Sequence, residues 1–360
     1  MSGAGKFLIL LCVLGAVKLS RAMEVGFNQA WFHNNFGIQW TEQHYDPEEV
    51  EAVLQSLADS GSTIIRVWLF EGMKSESIIW KNGLPVSLDP HFGKNFLDFM
   101  VRAKKHNVMA YLTLFTGVPD FHKQSQERKN FWYNFYNNNF SLRDQMKANV
   151  LGPLLKILSP IDVRSNIYGI DLVNEIDTMV KDDLFVNDWY GVNNFVCDLR
   201  SQIKDSAAES IPVTASLGWP KIPLLSRGAT DILLDPNPHP SCVDFWDLHL
   251  YNNSGSVDRC DEIRALSQRY NKKIILGEFG QLQLYKAYDD PLQTKITRNF
   301  LNNARHCGFS AALAWRLKDN RLGHNEEARY SYISYGKPRP AYFEFIEFVK
   351  KFPSTIRALN

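Results

Sequence analysis

Apolar and polar positions along this chain follow two alternating rhythms. Eight short apolar runs of β type read as buried strands: Glu24 to Asn28, Thr63 to Phe70, Val108 to Phe115, Ile167 to Asn174, Pro212 to Leu217, Phe245 to Tyr251, Lys273 to Glu278 and Ala311 to Trp315. Between them lie stretches with helical spacing, three of which open on an Asp-Pro pair: Asp46-Pro47, Asp89-Pro90 and Asp290-Pro291. In each, the aspartate offers an N-cap oxygen and the proline presets the first turn. The first is the clearest, with Val50, Val53, Leu54, Leu57 and Ala58 on one face and Gly61 as the stop. Asn107 and Gly308 are similar stops.

Strands that alternate with helices predict parallel βα units rather than hairpins or bundles. Eight of them predict an α/β fold of the (β/α)8 TIM barrel type, a single domain with enlarged βα loops. The roughly 335 residues after the N-terminal segment exceed the ~250 that such a barrel needs. No linker, low-complexity tract or internal repeat divides them. A doubly wound open sheet is the main alternative, but no Gly-x-Gly-x-x-Gly follows any strand, and polar residues recur at many strand ends instead of one switch point.

At the N-terminus, Lys6 precedes the apolar run from Phe7 to Val17, followed by Ser20 and Ala22 at small-residue spacing. This predicts a secretory signal peptide over 1–22 and a single mature domain over 23–360. No later stretch approaches the ~20 apolar residues of a membrane helix, so the expected location is extracellular. Without Cys12, four cysteines remain, Cys197, Cys242, Cys260 and Cys307. In an oxidising compartment they allow up to two disulfides in three connectivities. No Cys or His pair has zinc-ligand spacing, so neither a metal nor a cofactor is expected. The net charge of +1 gives no reason to expect nucleic acid as a partner. Nine Trp within 13% aromatics suit stacking on the apolar faces of a neutral sugar. A monomer is consistent with all of this.

The strand ends carry the chemistry. Glu175 and Glu278 each stand where an apolar run breaks into polar residues, and a carboxylate at the end of a buried strand costs desolvation energy unless something pairs with it or uses it. Around them come Asn28 and Trp31 after the first strand, Arg66 and Trp68 on the second, Asn174 on the fourth, Trp219 after the fifth, His249 and Tyr251 on the sixth and Trp315 on the eighth. Trp31, Trp40 and Trp219 are candidate sugar-stacking residues. Trp80-Lys-Asn-Gly-Leu-Pro85 reads as a turn-forming insertion at the rim, and the aromatic run Phe131 to Tyr136 as a wall of the cleft.

This constellation resembles glycoside hydrolase family 5. Within that family, the wording is most similar to animal endo-β-1,4-mannanases of the mollusc type: Gly26-Phe-Asn-Gln-Ala-Trp31, Ile65-Arg-Val-Trp-Leu69, Tyr111-Leu-Thr-Leu-Phe-Thr-Gly117, Asp171-Leu-Val-Asn-Glu175, His249-Leu-Tyr251, Ile275-Leu-Gly-Glu-Phe279 and Ala314-Trp315. The resemblance implies a retaining glycosidase with Glu175 as general acid/base and Glu278 as nucleophile, whose carboxyl groups would stand ≈5–5.5 Å apart. It implies that Arg66 holds Glu278 ionised, that the charge of Glu278 helps Glu175 keep its proton, and that this charge vanishes when the glycosyl-enzyme forms. By the same resemblance Asn174 bonds the sugar 2-hydroxyl, Tyr251 orients Glu278, His249 lines the acid/base side and Trp315 floors the cleavage point. A related β-glycanase or transglycosylase is the alternative, and a non-catalytic sugar-binding homologue is a third reading.

One departure stands out. The family's Asn-Glu-Pro is Asn174-Glu175-Ile176 here, which predicts a different path for the loop after the acid/base. Asp177 and Thr178 beyond it are polar enough to touch substrate or to cap a helix. Of two asparagine sequons, Asn139-Phe-Ser141 is the expected glycan acceptor, and Asn252-Asn-Ser254 is expected to stay unmodified because it follows a strand end at the cleft.

Overall fold

A computed structural model describes residues 23–32, 39–70, 76–116, 125–136, 140–176, 189–218, 242–281, 289–319 and 329–353. The segment 1–22, Asn139, Asp177, Thr178 and Trp219 lie outside the described residues, as do the side chains of Phe131 and Trp132.

Eight parallel strands form one sheet: β1 (Glu24–Asn28), β2 (Ile64–Trp68), β3 (Met109–Thr116), β4 (Ile167–Asn174), β5 (Val213–Thr214), β6 (Trp246–Tyr251), β7 (Ile274–Gly280) and β8 (Ala311–Ala314). Consecutive strands pair from β1 to β5 and from β6 to β8, and β1 pairs with β8. Among the described residues, the ring closes between β5 and β6 through an isolated parallel bridge, Leu217 to Leu248. There the Leu217 amide donates to the Asp247 carbonyl (3.0 Å) and the His249 amide to the Leu217 carbonyl (2.9 Å). This closure makes the chain a (β/α)8 barrel and removes exposed sheet edges.

The strands are apolar on both faces because the barrel buries both. Ile64, Tyr111, Phe245, Ile275, Ala311 and Leu313 fill the lumen, and a larger shell of aliphatic and aromatic side chains lies between strands and helices. The surrounding helices include α1 (Pro47–Ser60), α2 (Phe92–Lys105), α3 (Trp189–Lys204), α4 (Cys260–Tyr270), α5 (Asp290–Cys307) and α6 (Pro340–Lys351). The Asp46 carboxylate accepts from the amides of Glu48 and Glu49, and Gly61 ends α1 with φ of 74°. The other two Asp-Pro expectations need correction. Asp89 accepts from the His91 amide but α2 begins at Phe92, and α5 is capped by Asp289, whose carboxylate accepts from Leu292. Asp290 instead receives Arg339 (2.7 Å), a stronger charge-assisted partner.

The expected rim insertion is a two-stranded hairpin, Ile78–Lys81 with Leu84–Leu88, turned by Asn82 and Gly83, both with positive φ. Two disulfides form, Cys197–Cys242 and Cys260–Cys307. They tie α3 to the segment before β6, and α4 to α5.

Candidate active site

A barrel strand exposes its last side chains at the C-terminal mouth, and there the predicted residues converge. Arg66, on β2, is fully buried and organises the floor of the site. One of its terminal nitrogens donates to Glu278 Oε1 and to Asn28 Oδ1 (3.0 Å); the other donates to Asp171 Oδ2 (2.7 Å) and Asn174 Oδ1 (2.8 Å). Tyr251 Oη donates to the second oxygen of the same carboxylate, Glu278 Oε2 (2.5 Å). His249 Nδ1 lies 3.1 Å from Glu175 Oε1 and 3.5 Å from Glu278 Oε1. It therefore sits between the two carboxylates, not only beside Glu175. One oxygen of each glutamate and one nitrogen of this imidazole all lie within 4.8 Å of one another.

Such a trio of donors could in principle hold a cation. The Glu278 carboxylate in this trio also receives a guanidinium and a phenol hydroxyl. Those groups stabilise negative charge on that carboxylate.

Glu278 reaches this position through a β-bulge. On β6, Leu248 and His249 are consecutive, yet their partners on β7 are Leu276 and Glu278; β8 steps by two residues, from Ala312 to Ala314, while β7 steps by three, from Leu276 to Phe279. Gly277 is thus the extra residue. Strand alternation carried on from Ile275, which faces the lumen, would aim Gly277 and Phe279 inward. The bulge shifts the phase, so that Glu278 faces the lumen and Phe279 packs outside against Phe300 (5.3 Å between rings). Glycine is required at the bulge, since a Cβ there would overlap both carboxylate oxygens of Asp247.

Environment separates the two acids. Glu278 is almost wholly buried, whereas the Glu175 side chain is 29% exposed. Burial pushes the Glu278 carboxyl above its ordinary value, the cations His249 and Arg66 pull it back, the charge of Glu175 raises it and the Tyr251 hydroxyl lowers it. Arg66 therefore acts in the expected direction, but burial outweighs it. His249 responds to the same charges. Burial alone would lower it, but Glu278 and Asp247 outweigh that and push the imidazole up to about 10. Burial raises Tyr251 well above the usual phenol value, and the neighbouring Glu278 charge adds to the effect, so it is a proton donor at neutral pH.

Aromatic residues line the same mouth. Trp315 follows β8, its ring 6.1 Å from that of Trp68 and 6.0 Å from that of Trp31, and Tyr330 meets Tyr251 edge-on at 5.9 Å. Trp31 is 2% exposed, with the Arg316 guanidinium 5.0 Å from its ring centre. Its ring braces Trp315 from behind and presents no open face to a sugar. Trp40 is also corrected: it is fully buried among Phe32, Tyr45, Phe92, Phe96 and Phe99, because its ring packs onto the apolar face of α2. Asn252, the second sequon residue, accepts from the amides of Ser254, Gly255 and Ser256 and donates to the Ser256 carbonyl, which ties its side chain into the turn after β6.

Several residues of this network escape a search for strand-end carboxylates. Asp171 and Asp247 lie one layer deeper, both buried; Tyr111 Oη donates to Asp247 Oδ2 (2.5 Å), and Ser216 donates to Asp171 through its amide (2.9 Å) and its hydroxyl (3.0 Å). The available signal was an acid inside an apolar strand run, Ile-Asp-Leu on β4 and Trp-Asp-Leu on β6.

No protein-family model matches the sequence, and neither does any curated protein. Solved structures do match by shape. A β-mannanase from the blue mussel Mytilus edulis is similar with a TM-score of 0.66, 17% identity and 92% coverage of both chains. A β-1,4-D-mannanase from Cryptopygus antarcticus gives 0.66 at 17% identity, over 91% of this chain and 90% of that one. A β-1,4-mannanase from the sea hare Aplysia kurodai gives 0.64 at 15%, over 93% and 94%. Over nearly its full length, this chain has the (β/α)8 fold that these β-mannanases share.

Proposed function

We propose that the chain is an exported, retaining endo-β-glycosidase of glycoside hydrolase family 5 that cleaves β-1,4-mannan-type polysaccharide by double displacement. The carrying observation is the carboxylate pair: oxygens of Glu175 and Glu278 lie within 4.8 Å of one another at the mouth of the barrel. That spacing suits a nucleophile with no room for an intervening water, whereas inverting enzymes separate the two groups by ≈6.5–9.5 Å.

In the first step Glu278 attacks the anomeric carbon, and the glycosidic C–O bond breaks as Glu175 passes its proton to the leaving oxygen. Arg66 and Tyr251 hold one Glu278 oxygen each, which leaves the carboxylate a fixed line of attack. The ester that forms has no charge, so the field at Glu175 reverses in favour of a base. Glu175 then takes a proton from water, the water oxygen attacks the same carbon, and Glu278 leaves as carboxylate. Asn174, held by Arg66 Nη2, is the residue for the 2-hydroxyl, and Trp315 forms the floor. Mannan is favoured because the structural neighbours named above are mannanases. Export, with 1–22 removed as a signal peptide and 23–360 as one catalytic domain, agrees with two disulfides in the mature part.

Reducing ends released from galactomannan, carboxymethyl-cellulose and laminarin test the substrate. Hydrolysis of galactomannan well above the other two is expected. Preference for either glucan would make the chain a β-glucanase of the same fold, and polymer binding without turnover would overturn the enzymatic reading.

A further inference from the structure

General acid catalysis requires the Glu175 carboxyl at a fixed place, yet Glu175 is the first residue beyond β4 and has φ of 51°. A left-handed backbone is unfavourable for a non-glycine residue, so surrounding contacts must hold it there. Ser216, just past β5, supplies them. The Glu175 amide donates to Ser216 Oγ (2.9 Å), and the next amide, Ile176, donates to the Ser216 carbonyl (3.0 Å). A proline at 176, as in the family's usual wording, has no N–H for that second bond. The departure seen in the sequence thus coincides with the stitch that joins this turn to β5.

Ser216 is itself fixed from below. It is fully buried, its hydroxyl proton goes to Asp171 Oδ2 (3.0 Å), and this leaves the oxygen lone pairs to receive the Glu175 amide. The same Asp171 oxygen receives Arg66 (2.7 Å), and Arg66 also holds the nucleophile. Two residues further on, Gly218 leaves space for the acid itself, since a Cβ there would lie 3.0 Å from Glu175 Cδ and 3.2 Å from Oε2.

We propose that Ser216 is a positioning residue for the acid/base, linking the Arg66–Asp171 pair under the nucleophile to the backbone turn that aims Glu175. The proposal rests on the reading of Glu175 as the general acid. A serine that merely supports the fold would affect all substrates alike. A serine that aims the acid affects those whose leaving group needs a proton.

The test compares kcat/KM of Ser216→Ala on galactomannan and on 2,4-dinitrophenyl β-mannobioside, whose leaving group departs without acid help. Gly218→Ala is measured beside it, because it leaves Ser216 in place and crowds the Glu175 side chain; circular dichroism melts confirm that both fold. Both variants are expected to lose at least ~10-fold more on the polysaccharide than on the aryl substrate, the scale of a small misplacement of a catalytic group. Equal losses on the two substrates, or no loss on either, would overturn the proposal. Glu175→Gln serves as reference: if it shows the split and Ser216→Ala does not, the proposal alone fails, and if Glu175→Gln itself shows no split, the acid assignment fails and the proposal with it.

Discussion

Replacement of Arg66 by Met probes the charge balance at the base of the site. The guanidinium is fully buried and bonds two carboxylates, Glu278 and Asp171, besides Asn28 and Asn174. Removing one partner of a buried ion pair typically costs about 3–5 kcal/mol, since the remaining charge is left uncompensated. Against a total stability of about 5–15 kcal/mol, that is a large fraction. Protonation can relieve it. Burial already lifts both acids above their ordinary values of 4.5 and 3.8 while Arg66 pulls them down, so the variant raises both further. An acid with a raised folded pKa gives stability below its unfolded pKa and loses it as pH climbs through the folded one. The deficit of Arg66→Met should therefore be greatest near neutrality and shrink on acidification towards pH 4.5. In kcat/KM, the acid limb should move to higher pH, because the nucleophile must be ionised, with tenfold less ionised Glu278 on the acid side of the limb per 1.36 kcal/mol of lost stabilisation. Urea titrations at several pH values and a pH–rate profile measure the two effects. A deficit independent of pH together with an unmoved acid limb would refute the account.

Three further outcomes are expected. Glu278→Ala should abolish hydrolysis with folding and polymer binding retained, and azide should restore turnover with a product of inverted configuration; no rescue, or rescue with retention, would assign the nucleophile elsewhere. Gly277→Ala should cost at least ~10-fold in kcat by displacing Asp247 and the bulge that aims Glu278; wild-type kinetics in that variant would remove the bulge from the argument. Because Cys197–Cys242 and Cys260–Cys307 close loops of 45 and 47 residues, reduction of each should cost about 4 kcal/mol on the chain-entropy estimate, read as a lower urea midpoint; an unchanged midpoint would contradict it.

Much of this was legible in the sequence because the physics is local. Strands buried on both faces must read as apolar runs, and all eight expected runs hold barrel strands. A carboxylate that ends such a run advertises itself, as Glu175 and Glu278 do. Legibility fails where position depends on a partner far along the chain. Pro212 to Leu217 reads as a full strand, but among the described residues only Val213–Thr214 pair as a regular strand, and Leu217 closes onto Leu248 by an isolated bridge. Gly277 looks like an ordinary strand glycine until its neighbours reveal the register shift, and nothing local distinguishes Ser216 from any other serine. Trp31 and Trp40 follow an aromatic-after-strand pattern that sugar platforms and core supports share, and only burial tells them apart.

The central claim is that Glu175 and Glu278 act in two successive displacements on one anomeric carbon. Proton NMR of the products first released from β-1,4-mannooligosaccharides, recorded before mutarotation, tests it most directly. The account predicts β-anomers at the new reducing end. Release of α-anomers would contradict it.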